Sequence, residues 1–452
     1  MSRYGIRKSV ASLLPAQAVL PEDALGPWPG DVEPPAAYLA PGTEEEMARL
    51  LQRASQEGWR VLPAGAGSWL KGWGTPEVDL VVSTLRLKEM GTYEPADLTF
   101  TAGAGMPVRD LYEATAANGQ WLPLDPPGFG KGTLGALVAG GVAGPLKQGY
   151  GSPRDHILGL TLVSGDGRIL RWGGRVVKNV AGFDVTRLSI GSRGGLGIIT
   201  SVSARLFPLP NEDWTLLVGG PSASDLLLLG RELARSSMPI SALELVDPLA
   251  RLARGGKGEE ARAGGDRAPR AALVVRLLGT GGQLQAMADR VLEMSESVGG
   301  ESAEVLKGEE SRGLHGELES WEEGAELVVR LSLLPKRLGT LLDRGRDLAG
   351  RLGLDPELEM AAAAHVGWGV LRLAFRGPLS EEGGWEPAAG VLQDFRRGLE
   401  EEGGSLAVSH GPHGILREMG ARGGEDPVRI LVRGLKNTFD PAGILVPGRF
   451  DA

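Results

Sequence analysis

The sequence predicts an α+β protein made of more than one domain. The chain runs to 452 residues, too long for a single compact core. Strand–loop–helix alternation mixed with hairpin signals fills its first half, and amphipathic helices alternate with apolar strands in the second. Its 70 glycines follow no collagen-like period, so they point to tight turns and close backbone approaches.

The elements follow in order. Residues 1–34 are Pro-rich and predict an extended lead-in, where Pro15 interrupts an apolar stretch too short for a signal-peptide core. Thr43 followed by Glu46 is a capping box opening a helix that Gly58 ends. "WRVLPAGAGS" is a strand entering a glycine loop, "VDLVVST" another strand, and a helix runs from about Val108 to the Asn118-Gly119 stop. "HILGLTLVSGDGRILRW" reads as a hairpin around Asp166-Gly167, and "GIITSVSARLFPLP" as a long alternating strand ended by Pro208 and Pro210. Beyond it, helices such as "DLLLLGRELARSS" and "PKRLGTLLDRGRDLAGRLG" alternate with strands such as "AELVVRLSLL" and "GVLRLAF". That is a second α+β domain, with room for two similar halves and a charged surface loop over residues 254–270.

Composition excludes several classes. A formal charge of −9 argues against a general nucleic-acid surface. The absence of cysteine removes disulfides, thiolate metal sites and iron–sulfur ligation from this chain. No run of about 18 apolar residues occurs, so no transmembrane segment is expected and a cytoplasmic setting is the default.

Three glycine segments compete for a phosphate-binding role. "PAGAGS", residues 63–68, follows a strand, and its amides could converge on a phosphate or simply turn the chain. It lacks the third glycine of the dinucleotide fingerprint. "GFGKGT", residues 128–133, fails the P-loop pattern because Asp125 stands where its first glycine belongs. The stretch 124–145 around it is rich in small residues and suits either a ligand-facing backbone or a tightly packed helix. The third segment, "VVKNVAGFDVTRLSIGSRGGLGIIT", carries Lys178-Asn179 and a glycine ladder from Gly191 to Gly197.

Taken together, in this order and spacing, these segments resemble the FAD-binding PCMH/vanillyl-alcohol-oxidase family. The resemblance covers roughly residues 35–210 and includes "YGSPRDHILG" at 150–159. "KNVAGFDVTRLSIGSRGGLGIIT" departs from the family pattern at Phe183, usually Tyr, and at Gly195, usually Thr. "LKNTFDPAGILVPGR", 435–449, resembles the closing family motif, with Val446 where Asn is usual. "VVKNVAGFD" is most similar to the FAD-binding (E) subunits of bacterial glycolate oxidases.

The resemblance implies a PCMH-type FAD-binding domain of two α/β subdomains over 35–210. An α+β cap over 211–430 and a C-terminal segment, 431–452, returning to the first domain complete the expectation. FAD contacts are implied for Gly65, Ala66, Gly67, Ser68 and Trp69, with the loop amides on the pyrophosphate. A second group comprises Asp125, Pro126, Pro127, Thr133, Leu134, Gly140 and Gly141. Arg154 is a candidate pyrophosphate helper beside Asp155; Lys178, Gly182 and Asp184 follow, and Gly197, Ile198 and Ile199 form an extended edge. No histidine or cysteine stands at the loop, so the FAD is expected to be noncovalent.

Substrate chemistry is less complete. Related 2-hydroxy-acid dehydrogenases carry a histidine-rich turn in the cap. Here "AHVGWGVLR" keeps His365 but no second histidine, and "SHGPHGI" has Pro412 where Glu is usual before His413. His365 and His413 are ordinary turn or surface histidines, or they form a repurposed acid-binding pocket with Arg372 and His410. His156, beside Asp155, is a structural hydrogen-bonding residue or a flavin neighbour. The incomplete histidine set predicts no metal and fits a subunit of a glycolate oxidase-like complex. By resemblance, its partners would be a sister FAD-linked catalytic subunit and an iron–sulfur subunit, its substrate a small 2-hydroxy acid. Such partners could hold it at the inner face of a membrane. A self-sufficient D-2-hydroxy-acid dehydrogenase and a non-catalytic flavin scaffold are the alternatives.

Overall fold

The computed structural model describes residues 2–26, 28, 32–68, 76–174, 184–220, 222–248, 271–297, 299–300, 302–379, 385–420 and 427–446. Trp69, Lys178, Asn179, Gly182 and the 254–270 loop lie outside the described residues.

The N-terminal stretch is not extended throughout. Arg3–Leu13 is a helix whose N-cap Ser2 accepts a hydrogen bond from Gly5 N–H. Ile6 and Val10, one helical turn apart, are buried in a core shared with Val61 and Leu62. The prolines that suggested an open lead-in act later, where Pro15 ends the helix and the chain enters the short strand Val19–Leu20.

Two larger sheets share the first half, beside a two-stranded ladder of Gln120–Trp121 with Phe207–Pro208. A four-stranded sheet runs in the order Val19–Leu20, Ala37–Leu39, Leu80–Ser83, Val61–Ala64, its last three strands parallel. Helix Glu44–Glu57 covers it with Met47, Leu50, Leu51 and Ala54. Thr43 Oγ1 accepts from Glu46 N–H, Glu46 reaches back to Gly42 N–H, and Gly58 closes the helix at φ +69°. A five-stranded antiparallel sheet follows in the order Met90–Glu94, Thr99–Gly103, Ile198–Arg205, Ile157–Val163, Ile169–Gly173. Strand Ile198–Arg205 does not alternate as its sequence suggests. It lies at the centre of this sheet, and six of its eight residues are buried.

The second half is one eight-stranded antiparallel sheet made of two βαββαβ halves. In the first, Glu212–Gly219, Ala242–Asp247, Ala272–Gly279 and Ser302–Lys307 are joined through helices Ala223–Arg235 and Gly281–Ser297. Leu327–Ser332, Met360–His365, Val370–Phe375 and Ser405–His410 repeat the plan with helices Leu338–Arg351 and Glu386–Glu400. The halves meet where Ala242–Asp247 pairs with Met360–His365. The four helices cover one face around Leu273, Val275, Leu371 and Leu373. Helix Glu309–Ser320 packs on the other through Leu314 and Leu318.

The chain then returns to the first half. Leu445 bridges to Val61, and Ile444, Leu445 and Val446 join the core of the four-stranded sheet.

Candidate functional site

A cleft opens where the two sheets of the first half meet, enclosing about 630 Å³ including its mouth. Pro63–Ser68 forms one wall, Gly135, Ala136 and Ala139 the floor, and Arg193, Gly194 and Gly197–Ile199 the far side. The floor is flat because those three residues lie on one face of helix Leu134–Gly140, and none carries more than a methyl group. Ser83 pins the wall loop: its hydroxyl donates to Gly65 C=O and accepts from Leu85 N–H. Among the described residues, nothing accepts a hydrogen bond from the N–H groups of Ala66, Gly67 or Ser68. Such a row of free donors beside a flat apolar floor fits a dinucleotide, its pyrophosphate on the amides and its rings on the floor. None of the five histidines lines the cleft.

The expected contacts divide. Gly65–Ser68, Gly197, Ile198 and Ile199 line this cleft. Thr133 is fully buried and caps the floor helix through Ala136 N–H, so it supports the floor without lining it. A Cβ on Gly65 would stand 2.2 Å from Thr133 Oγ1, so this glycine serves the packing of loop on helix. Leu134 is a core residue, Gly140 is buried, and Gly141 is the C-cap. Arg154 is exposed on the short helix Pro153–His156 and does not reach the lining, because Asp155 turns the chain there by accepting from Ser152 N–H and Oγ. Asp184 caps the next helix by accepting from Arg187 N–H. His156 is buried against the Phe207 ring, away from the lining. Arg193 was not foreseen. It is the charged side chain among the described lining residues, its backbone at φ +51° and its N–H on Ala139 C=O.

Asp125 and Pro127 instead border a second, narrow pocket facing the eight-stranded sheet, its free space of about 10 Å³ close to that of one water. Asp125 accepts from Leu146 N–H with both oxygens, and burial pushes its carboxyl well above the ordinary range. Pro126, between them, is buried. The other walls include Glu244, His315, Glu319, Trp321 and Arg372. Arg372 pairs with Glu322 and lies 5.5 Å from the centre of the Trp321 ring. His365 Nδ1 lies 2.9 Å from Glu244 Oε1, both side chains buried. His413 starts helix His413–Gly420, and His410 ends the edge strand; neither lines the cavity. Among the described residues no three His, Asp or Glu side chains are grouped to hold a metal.

His315 is the residue the sequence reading passed over. A signal was available: Ser311, His315, Glu319 and Glu322 fall three or four apart, a polar stripe on a helix whose Leu314 and Leu318 are apolar. Burial, with Arg276 adding repulsion, holds the His315 imidazole well below its ordinary pKa.

Residues 35–173 match the family model described as FAD binding domain, and residues 209–450 match FAD linked oxidases, C-terminal domain. Glycolate oxidase subunit GlcE of Escherichia coli K12 is 43% identical over 125 residues, 27% of this chain and 36% of that one. The match thus spans little more than a third of that relative's length. D-lactate dehydrogenase of Archaeoglobus fulgidus is 28% identical over 433 residues, 91% of this chain and 90% of that one. The structure of 4-ethylphenol oxidase from Gulosibacter chungangensis superposes with a TM-score of 0.76 at 15% identity, covering 99% of this chain and 97% of that one. It speaks for the fold alone.

Proposed function

The chain belongs to the FAD-linked oxidases, and on that premise we propose that it is the FAD-binding subunit of a glycolate oxidase-like dehydrogenase acting on a small 2-hydroxy acid. Bound FAD supplies a two-electron acceptor for a hydride. The amides of Ala66–Ser68 and the Arg193 guanidinium would hold its pyrophosphate, and the small residues of the floor would take its rings. Arg372, which pairs with Glu322 at the narrow pocket, is the candidate partner of the substrate carboxylate.

One observation carries this reading: a glycine-walled cleft with a flat floor of small residues lies on helix Leu134–Gly140, and a narrow polar pocket borders the same segment. The floor residues come from the helix itself, and Asp125, Pro127 and Pro145 flank it in sequence. The 43% identity to a protein named as a glycolate oxidase subunit supports the subunit role, as does the engagement of His365 by Glu244. A second reading, a self-sufficient dehydrogenase, is favoured by the nearly end-to-end match to D-lactate dehydrogenase.

Anaerobic addition of glycolate and of D-lactate to the purified chain, following flavin absorbance, separates the two. Bleaching only after a sister flavoprotein and an iron–sulfur protein are added supports the subunit reading. Bleaching by the chain alone selects the second, and no bleaching in either arm overturns 2-hydroxy-acid oxidation.

A further inference from the structure

The chain carries a formal charge of −9, yet one arc of its surface reverses that sign around exposed apolar side chains. Helix Ala223–Arg235 presents Leu228, Arg231 and Arg235 on one stripe, spaced three and four residues apart, and Leu228 is 46% exposed. A terminal guanidinium nitrogen of Arg231 donates to Lys336 C=O at 3.2 Å, so the stripe adjoins the turn Pro335–Arg337. Leu334, the residue before that turn, is 60% exposed. Leu333 N–H donates to Gly369 C=O, which sets Leu334 beside the turn Val366–Trp368, where Trp368 is 47% exposed. Lys147 closes the arc from the first half of the chain, its Nζ 3.8 Å from the centre of the Trp368 ring.

The charges of the arc are open. Among the described residues Lys147, Arg231, Arg235 and Lys336 form no ion pair, whereas their neighbour Arg337 is paired with Glu402. Of the two acids in helix Ala223–Arg235, Asp225 is held by Ser222 and Glu232 lies one turn beyond Leu228. A cluster of this sign calls for an anionic occupant. Its apolar content is thin, three side chains from three elements, where a stable protein interface buries about 800 Å² per partner. An indole ring with a cation on its face and leucines nearby suits the headgroup layer of a bilayer instead. That layer accepts a few apolar side chains and holds each nearby Lys or Arg by charge.

We propose that this arc docks the protein directly on an anionic lipid surface. Leu334 and Trp368 enter the headgroup layer, and Lys147, Arg231, Arg235 and Lys336 meet lipid phosphates. The contact needs no partner subunit, and it does not depend on which substrate the protein oxidises. Because Lys147 belongs to the first half of the chain and the other residues to the second, the seam between the halves faces the lipid.

Two measurements on the FAD-loaded full chain test this. In the first, it is sedimented with phosphatidylcholine vesicles, with and without about a third of phosphatidylglycerol. Binding is expected only with phosphatidylglycerol, and raising the salt from about 0.1 M to about 0.5 M should weaken it. Arg235→Gln/Lys336→Gln should bind about 25-fold more weakly, roughly 5-fold for each cation lost. Arg53→Gln/Arg109→Gln makes the same charge change on two surface helices of the first half and should bind as the wild type does. Unchanged FAD content shows that each variant is folded. For the second, the chain has no cysteine, so Leu334→Cys and Leu358→Cys each take one environment-sensitive dye. Leu358 is also exposed but precedes strand Met360–His365, at the opposite end from Trp368. On anionic vesicles the dye at position 334 should be shielded from an aqueous quencher and the dye at position 358 should not. A wild type that ignores anionic vesicles, an equal loss in the control pair, or equal shielding at both positions overturns the proposal. Shielding of position 334 by a partner protein and not by vesicles assigns the arc to a protein contact and overturns it as well.

Discussion

Lys436 Nζ lies 2.8 Å from Asp440 Oδ2, one helical turn away, with both side chains almost wholly buried. The ammonium also donates to Gly195 C=O at 3.0 Å and to Leu445 C=O at 2.6 Å. Asp440 accepts from the N–H groups of Ile444 and Leu445. The pair thus ties the C-terminal helix both to the returning tail and to the glycine ladder beside the cleft.

Removing one partner strands the other charge in the interior. Lys436→Met is expected to lower stability by about 3–5 kcal/mol, read in chemical denaturation. It should also loosen FAD, because Gly194 and Gly197, on either side of Gly195 and Leu196, line the cleft. The double variant Lys436→Met/Asp440→Leu should recover part of the stability. A single variant as stable as the wild type would remove the pair from the account of the fold.

Arg193 is expected to add a charge-assisted hydrogen bond to the cofactor's pyrophosphate. Such bonds contribute about 1.5–3 kcal/mol, so Arg193→Met should weaken FAD binding roughly 10- to 100-fold in equilibrium dialysis. Arg154→Met should leave the affinity unchanged, since that side chain is exposed and off the lining. The reverse order would return the pyrophosphate to Arg154.

Local signals were legible in the sequence because they act within a few residues. Thr43, Glu46 and Gly58 cap their helix, and Asp166-Gly167 turns a hairpin with Gly167 at φ +84°. The loop Gly65–Ser68 and the edge Gly197–Ile199 were read as one cleft because their order resembled a known family. What the sequence hid depends on distant packing. Asp125 sits near Gly128 and Thr133 in sequence, yet folding turns it toward residues more than a hundred positions away, Glu244 and Arg372 among them. The polar stripe that marks His315 does not show what it meets, because its partner Thr215 lies 100 residues upstream. The helix Arg3–Leu13 was missed because proline content outweighed the Ile6–Val10 spacing.

Gly67 has φ +85°, and a Cβ there would stand 2.2 Å from the backbone oxygen of Leu25. Gly67→Ala should therefore cost more than about 1 kcal/mol and reduce the FAD content of the purified protein, because the loop and the segment under it must both shift. Gly119 is the control. It has φ +64° with open space around it, so Gly119→Ala should cost about 1 kcal/mol by strain alone and leave FAD content unchanged. Equal FAD loss in both variants would mean that general destabilisation, and not the Leu25 contact, governs the loop.

His156 gives the fold a pH dependence of known sign. Burial, with the Arg205 charge adding to it and Asp155 opposing, lowers its pKa from 6.5 to about 4. Between those values the unfolded chain binds a proton that the folded one does not. The stabilising contribution is therefore complete above about pH 6.5, falls as the pH drops, and is exhausted near pH 4, a span on the order of 2–3 kcal/mol. His156→Phe, stacking on the Phe207 ring that His156 already meets edge-on, cannot titrate. Urea denaturation at pH 5 and pH 7.5 should show the wild type losing more stability between the two than the variant by about 1–2 kcal/mol. Equal losses would mean that the folded protein protonates His156 as readily as the unfolded chain, and that the site is open to water.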